Sequence, residues 1–92
     1  MALVGYGNLN TGEVESYTIE LRAGITYRFY VENAIPGVDL DLYVADANGN
    51  ILAGDDSTAS DAICIFTPGW SATYIIAIKS ASGSSSYRLF ID

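Results

Sequence analysis

The sequence has no histidine and one cysteine among its 92 residues, and eleven acidic residues stand against only four basic ones. Without histidine the chain lacks the commonest general base near neutral pH, the commonest zinc ligand and the usual partner of a nucleophilic serine. Any acid–base chemistry would have to rest on carboxylates. A single cysteine allows no intramolecular disulfide. Cys64 lies in the apolar run AICIF with no basic neighbour to lower its pKa, so a buried structural thiol is expected. The formal charge of −7 argues against nucleic-acid phosphates and anionic lipid surfaces and makes a cation the more natural partner. No stretch approaches the roughly 18 apolar residues of a membrane span, so no membrane insertion is expected. The opening MALVGYGNLN has neither the basic start nor the apolar run of a secretory leader.

What is present is alternation of period two, in short runs separated by turn residues. In EVESYTIEL the inward set is Tyr17, Ile19 and Leu21, and in ITYRFYVE it is Ile25, Tyr27, Phe29 and Val31. The intervening Arg22–Gly24 reads as a short hairpin turn. Pro36 and Gly37 mark a loop, after which Leu40, Leu42 and Val44 turn inward while Asp39, Asp41 and Tyr43 face out. DANGN, residues 46–50, is the clearest reversal in the chain, because Asn48-Gly49 suits the left-handed conformations of a tight turn. It begins like an EF-hand loop, but its glycine falls at the fourth place instead of the sixth and Ser57 stands where a glutamate is needed, so the turn reading is preferred. AICIFTP predicts a strand covered on both faces or lying in the sandwich interior. TYIIAIKS turns Tyr74, Ile76 and Ile78 inward, and SYRLFID turns Tyr87, Leu89 and Ile91 inward. The architecture expected is all-β, an antiparallel β-sandwich of jelly-roll-like form with about seven or eight strands. It spans one domain, with 1–12 as a leading segment or linker and 13–92 as the core.

The series LRAGITYRFYV, DLDLYVADANGNILAGDDS, FTPGWSATYIIAIKS and GSSSYRLFI resembles, in order and spacing, the bacterial pre-peptidase C-terminal domain, related to the collagen-binding domains of secreted collagenases. The resemblance runs from about Val14 to Ile91. It implies a small β-sandwich that is not a catalyst but an accessory module of a secreted protease or other hydrolase, assisting secretion, stability or substrate attachment. The implied location is extracellular. The implied partners are the parent enzyme domain and an extracellular protein or polysaccharide. Some collagen-binding relatives hold calcium, partly through acids near the strand matching DLDLYV. Those relatives also expose tyrosines on the strand matching TYIIAIKS, where this chain presents Ile75, Ala77 and Lys79, so collagen binding is not carried over.

Two aspartates on one face of a strand repel unless something compensates. One expectation is that Asp39, Asp41, Asp55, Asp56 and Asp61 converge on a hard cation such as calcium, which takes six to eight oxygens. The other is that Asp39 caps the Pro36-Gly37 loop, Asp41 pairs with Arg28 or Arg88, and the DDS acids bond backbone amides. Paired carboxylates are also the equipment of a glycosidase, although a chain this small offers little room for a deep cleft. Tyr30, Tyr43 and Trp70 are the candidate ligand-binding aromatics, with Trp70 alternatively a lid over the end of the core. Any oligomer would be edge to edge or face to face.

Overall fold

The computed structural model describes residues 1–55 and 61–92 and contains eight strands and no helix among them. They are β1 (Ala2–Leu9), β2 (Val14–Leu21), β3 (Tyr27–Asn33), β4 (Asp39–Ala45), β5 (Ile51–Asp55), β6 (Ala62–Phe66), β7 (Ala72–Ser82) and β8 (Ser85–Ile91). One sheet runs β1-β8-β3-β6 and the other β2-β7-β4-β5, with every pairing antiparallel. The pairs β1–β8, β2–β7, β3–β6 and β4–β5 nest inside one another. The chain is therefore one long hairpin, tipped by the turn after β4 and rolled into two layers, which is the expected jelly roll.

Between the layers lie Leu21, Phe29, Val31, Leu40, Leu42, Val44, Tyr74, Ile76, Ile78, Tyr87 and Leu89, all buried as their alternation predicts. Each fully buried aliphatic or phenyl side chain contributes about 1.5–3 kcal/mol by leaving water. Tyr17, Ile19, Tyr27 and Ile91 are half-buried at the margin of this core. Cys64 is buried among them, and burial, followed by the nearby Asp55 charge, pushes its thiol pKa up. The DANGN tip is an Asx turn: Asp46 Oδ1 accepts from the amides of Asn48 and Asn50, each at 2.9 Å, and Gly49 takes a φ of 87°.

Four local expectations differ. Arg22–Gly24 is no hairpin, because β2 and β3 belong to different sheets; their inward sets face each other across the core, which a hairpin within one sheet would forbid. The turn packs instead on the β6–β7 connection, with Gly24 N–H donating to the Pro68 carbonyl at 3.0 Å and Ala23 N–H to Ser71 Oγ at 2.9 Å. Ile25 precedes β3 and is exposed. AICIF is an edge strand with one wet face: Ala62 and Cys64 are buried, while Ile63 and Ile65 face solvent. Residues 2–9 do not stand apart as a leading segment but form β1, which pairs along β8 and buries Leu9 in the core.

β1 approaches β2 closely because two of its residues are glycines. A Cβ at Gly5 would collide with the Tyr17 ring, and one at Gly7 with the Glu15 carboxylate. In that space Tyr87 OH donates to Glu15 Oε1 at 2.8 Å and shares a 2.6 Å hydrogen bond with Tyr17 OH. This polar cluster closes the open side of the sandwich.

Candidate binding face

Outward residues of the first sheet come into register across all four strands. Leu3 stands opposite Phe90, Phe90 opposite Tyr30, and Tyr30 opposite Ile63, which makes one continuous apolar row from edge to edge. Leu3 is 52% and Ile63 47% exposed. The Tyr30 and Phe90 rings stack on each other with centroids 6.3 Å apart, as facing aromatic residues on neighbouring strands do.

Charge pairs flank the row on both sides. On one side Arg88 of β8 pairs with Glu32 of β3, its guanidinium also lying 5.5 Å from the Phe90 ring centroid. On the other, Arg28 of β3 pairs with Asp92, which extends the β3–β8 ladder through reciprocal backbone hydrogen bonds. Tyr6 continues the first flank and Ile65 the second. At the β6 end, Tyr30 OH donates to Asp61 Oδ2 at 2.7 Å, and Asn33 N–H donates to Asp61 Oδ1 at 3.0 Å. The bond to Asp61, then partial burial and the charges of Asp61 and Glu32, hold the Tyr30 phenol pKa above its ordinary value.

Of the five acids expected to hold calcium, the four among the described residues are dispersed. Asp39 and Asp41 share the outer face of the second sheet, at the Ser82 and Lys79 positions of β7. Asp41 is only 7% exposed and accepts a hydrogen bond from Tyr43 OH at 3.3 Å. Arg28 and Arg88, the expected neutralising partners, lie on the far side of the sandwich with partners of their own; the cation in register with Asp41 is Lys79. Asp39 does not cap the 34–38 loop. Asn33 ties that loop, donating from Nδ2 to the Val38 carbonyl at 2.6 Å and accepting from Ile35 N–H at 3.2 Å, while Asp39 Oδ1 is buried with no hydrogen-bond partner among the described residues. Asp55 stands opposite Leu42 and so points to the inner side, where its Oδ2 accepts from Ile63 N–H of β6 at 3.0 Å. Asp61 belongs to the β3–β6 end of the first sheet, and Asp56 lies outside the described residues. Among the described residues no three of these groups come together at a cation's distance.

The three candidate aromatics do not share a surface either. Tyr30 is on the outer face of the first sheet, whereas Tyr43 lies on that of the second, over Gly54. Trp70 is 61% exposed in the β6–β7 connection and is no lid; Pro68, fully buried, fills the end of the core instead. Leu3, Phe90, Ile63 and Ile65 lie outside the residues that the sequence singles out for binding. Their signal in sequence is an apolar residue at an outward position, visible in SYRLFID at Phe90 but hidden in AICIF, where inward and outward residues are equally apolar. The chain matches no family model and no curated protein.

Proposed function

We propose that the chain is a non-catalytic accessory module of a larger secreted bacterial protein, a protease or other hydrolase, which attaches its parent to a protein surface through the outer face of the first sheet. The observation carrying this reading is the exposed row Leu3, Phe90, Tyr30 and Ile63, an apolar band rimmed by charge pairs. A protein is favoured over a polysaccharide because the Arg88 guanidinium lies over the Phe90 ring and the ends of the row are aliphatic, whereas sugar stacking calls for open ring faces. The parent enzyme and the extracellular setting rest on the resemblance to pre-peptidase C-terminal domains. The non-catalytic reading is supported by acids engaged elsewhere: Asp46 in a turn, Asp55 and Asp61 at strand amides, Glu32 and Asp92 in ion pairs. A concavity of about 720 Å3 between the end of β2 and the start of β7 is lined, among the described residues, by one acid, Glu20, and so offers no carboxylate pair there.

The test is a reporter enzyme fused to the chain and applied to immobilised extracellular proteins and to the immobilised chain itself. Retention is expected, its loss is expected in the double variant Leu3→Thr/Ile63→Thr, and no change is expected for Thr18→Lys on the other sheet. No retention on any protein surface, or equal retention by all three, overturns the reading.

A second reading, calcium-dependent binding, is favoured by the unpartnered Asp39 Oδ1 two residues from Asp41. Specific binding at a hundredfold excess over Kd would add about 2.7 kcal/mol of stability. A melting temperature that neither calcium nor EDTA moves removes it.

A further inference from the structure

The charges around the apolar row form a checkerboard. Arg88 on β8 and Glu32 on β3 occupy one side, and Asp92 at the end of β8 and Arg28 on β3 occupy the other. Along each strand, and across each pair of strands, the sign alternates. Consider a twofold axis lying in the plane of this face, parallel to the strands and midway between β8 and β3. It sets β8 of one copy over β3 of the other, and β1 over β6. Arg88 then meets Glu32 of the other copy, and Asp92 meets Arg28. Within the row, Phe90 lies over Tyr30 and Leu3 over Ile63. Each member of the two ion pairs meets its opposite and each residue of the row an apolar one, as an isologous interface requires, while Asp61 at the β6 end comes over Tyr6 of the other copy.

We infer that the protein surface taken by this face is a second copy of this chain, docked sheet to sheet about that axis; this rests on the proposed role of the face as the working surface. The arrangement is the aligned packing that sheet faces adopt. The longer extents of the molecule, 35 and 26 Å, bound its broad face at roughly 900 Å2, and a standard interface takes about 800 Å2 from each partner, so the dimer would engage the whole face. Close pairing of charges selects this register over a slipped one, because a shift by one strand brings like charges together. The net charge of −7 on each copy opposes approach, but at about 0.15 M salt, with a screening length near 8 Å, the pairs in contact outlast the long-range repulsion.

Sedimentation velocity of the 92-residue chain at that ionic strength, from about 10 µM to 1 mM, is expected to show a reversible dimer of ordinary transient strength. Arg88→Glu and Glu32→Arg are each expected to weaken it at least tenfold by setting like charges face to face. An equimolar mixture of the two variants is expected to restore it, since the reversed residue of each then meets its complement in the other. Each reversal removes an exposed ion pair from the fold, and Arg88→Glu also the guanidinium over Phe90, so the melting curves serve as the control. A chain that stays monomeric at about 1 mM, a dimer indifferent to both reversals, or a mixture that fails to associate overturns the assignment. If the monomeric chain still loses its retention on protein surfaces in Leu3→Thr/Ile63→Thr, the face keeps its role and only the second copy is wrong. If retention too is unaffected, both readings fail together.

Discussion

The two outer faces of the sandwich obey the same alternation and cover the same core, yet they are made of different residues. On the first sheet the outward positions carry Leu3, Phe90, Tyr30 and Ile63 between two rows of paired charges. On the second, Ser16, Ala77, Tyr43 and Gly54 stand in one row and Val14, Lys79 and Asp41 in the next. Folding demands apolar residues only on the inner side, and on the second sheet the outer apolar run, Ile75, Ala45 and Ile51, stops at Thr18, short of a band from edge to edge. The apolar row of the first sheet is therefore surplus to the fold. Exposed apolar side chains carry a solubility penalty, so a band of them is better explained by something that covers it.

The largest effect expected is one that the faces share. Ile76→Ala removes a fully buried side chain from the middle of the second sheet and is expected to cost about 2–5 kcal/mol in urea unfolding. Both faces hang on one core, so Trp70 fluorescence and tyrosine near-ultraviolet dichroism should report a single transition; two separate midpoints would mean that the two layers unfold independently. Next comes the seam between the sheets. Gly7→Ala forces a methyl against Glu15 and Tyr87 and is expected to destabilise by about 1–3 kcal/mol, whereas Gly69→Ala, with nothing within 4 Å of its added carbon, is expected to change stability little.

Alkaline titration separates the inside from the outside. Burial first, then the hydrogen bonds with Tyr17 and Glu15, push the Tyr87 phenol far up, and Tyr30 is raised through Asp61. A raised folded-state value means that the native state holds protons which the unfolded chain has released. The stabilisation is full below the ordinary tyrosine value of about 10 and is lost as pH climbs towards the folded-state values. Unfolding free energy should therefore fall from about pH 10 upward, and Tyr30→Phe should remove only the smaller share of that fall. A stability profile that is flat through that range contradicts the burial of Tyr87. The smallest expected effect sharpens the contrast most: Ile63→Thr on the first sheet and Thr18→Lys on the second should each stay within about 0.5 kcal/mol of the parent in unfolding, while only the first weakens attachment.

Much of the fold is legible in strings such as DLDLYVAD, where period two alone assigns Leu40, Leu42 and Val44 to the core. Local chemistry also identifies the DANGN reversal, because Asp46 and Gly49 act within five residues of each other. What alternation cannot convey is which strands become neighbours. Arg22–Gly24 looks like a hairpin because nothing within it reveals that β2 and β3 part into separate layers. For the same reason Arg28 and Arg88 are plausible partners for Asp41 in sequence and lie a sandwich's thickness away in space. The binding face is hidden still more completely. Its row takes one residue from each of β1, β3, β6 and β8, and only the long-range register aligns them.

One small contact governs how such a molecule fails. The carboxylate of Asp55, reaching from the second sheet, already occupies the outward amide of Ile63 on the last strand of the first. A foreign strand arriving at that border would have to displace a charged acceptor before forming a rung there, and it would meet that negative charge as it approached. A band of exposed isoleucine, leucine and aromatic rings beside an open border is ordinarily an invitation to templated fibre growth. Here the ladder is stopped at that amide, which lets the protein carry an adhesive surface with less risk of becoming a polymer.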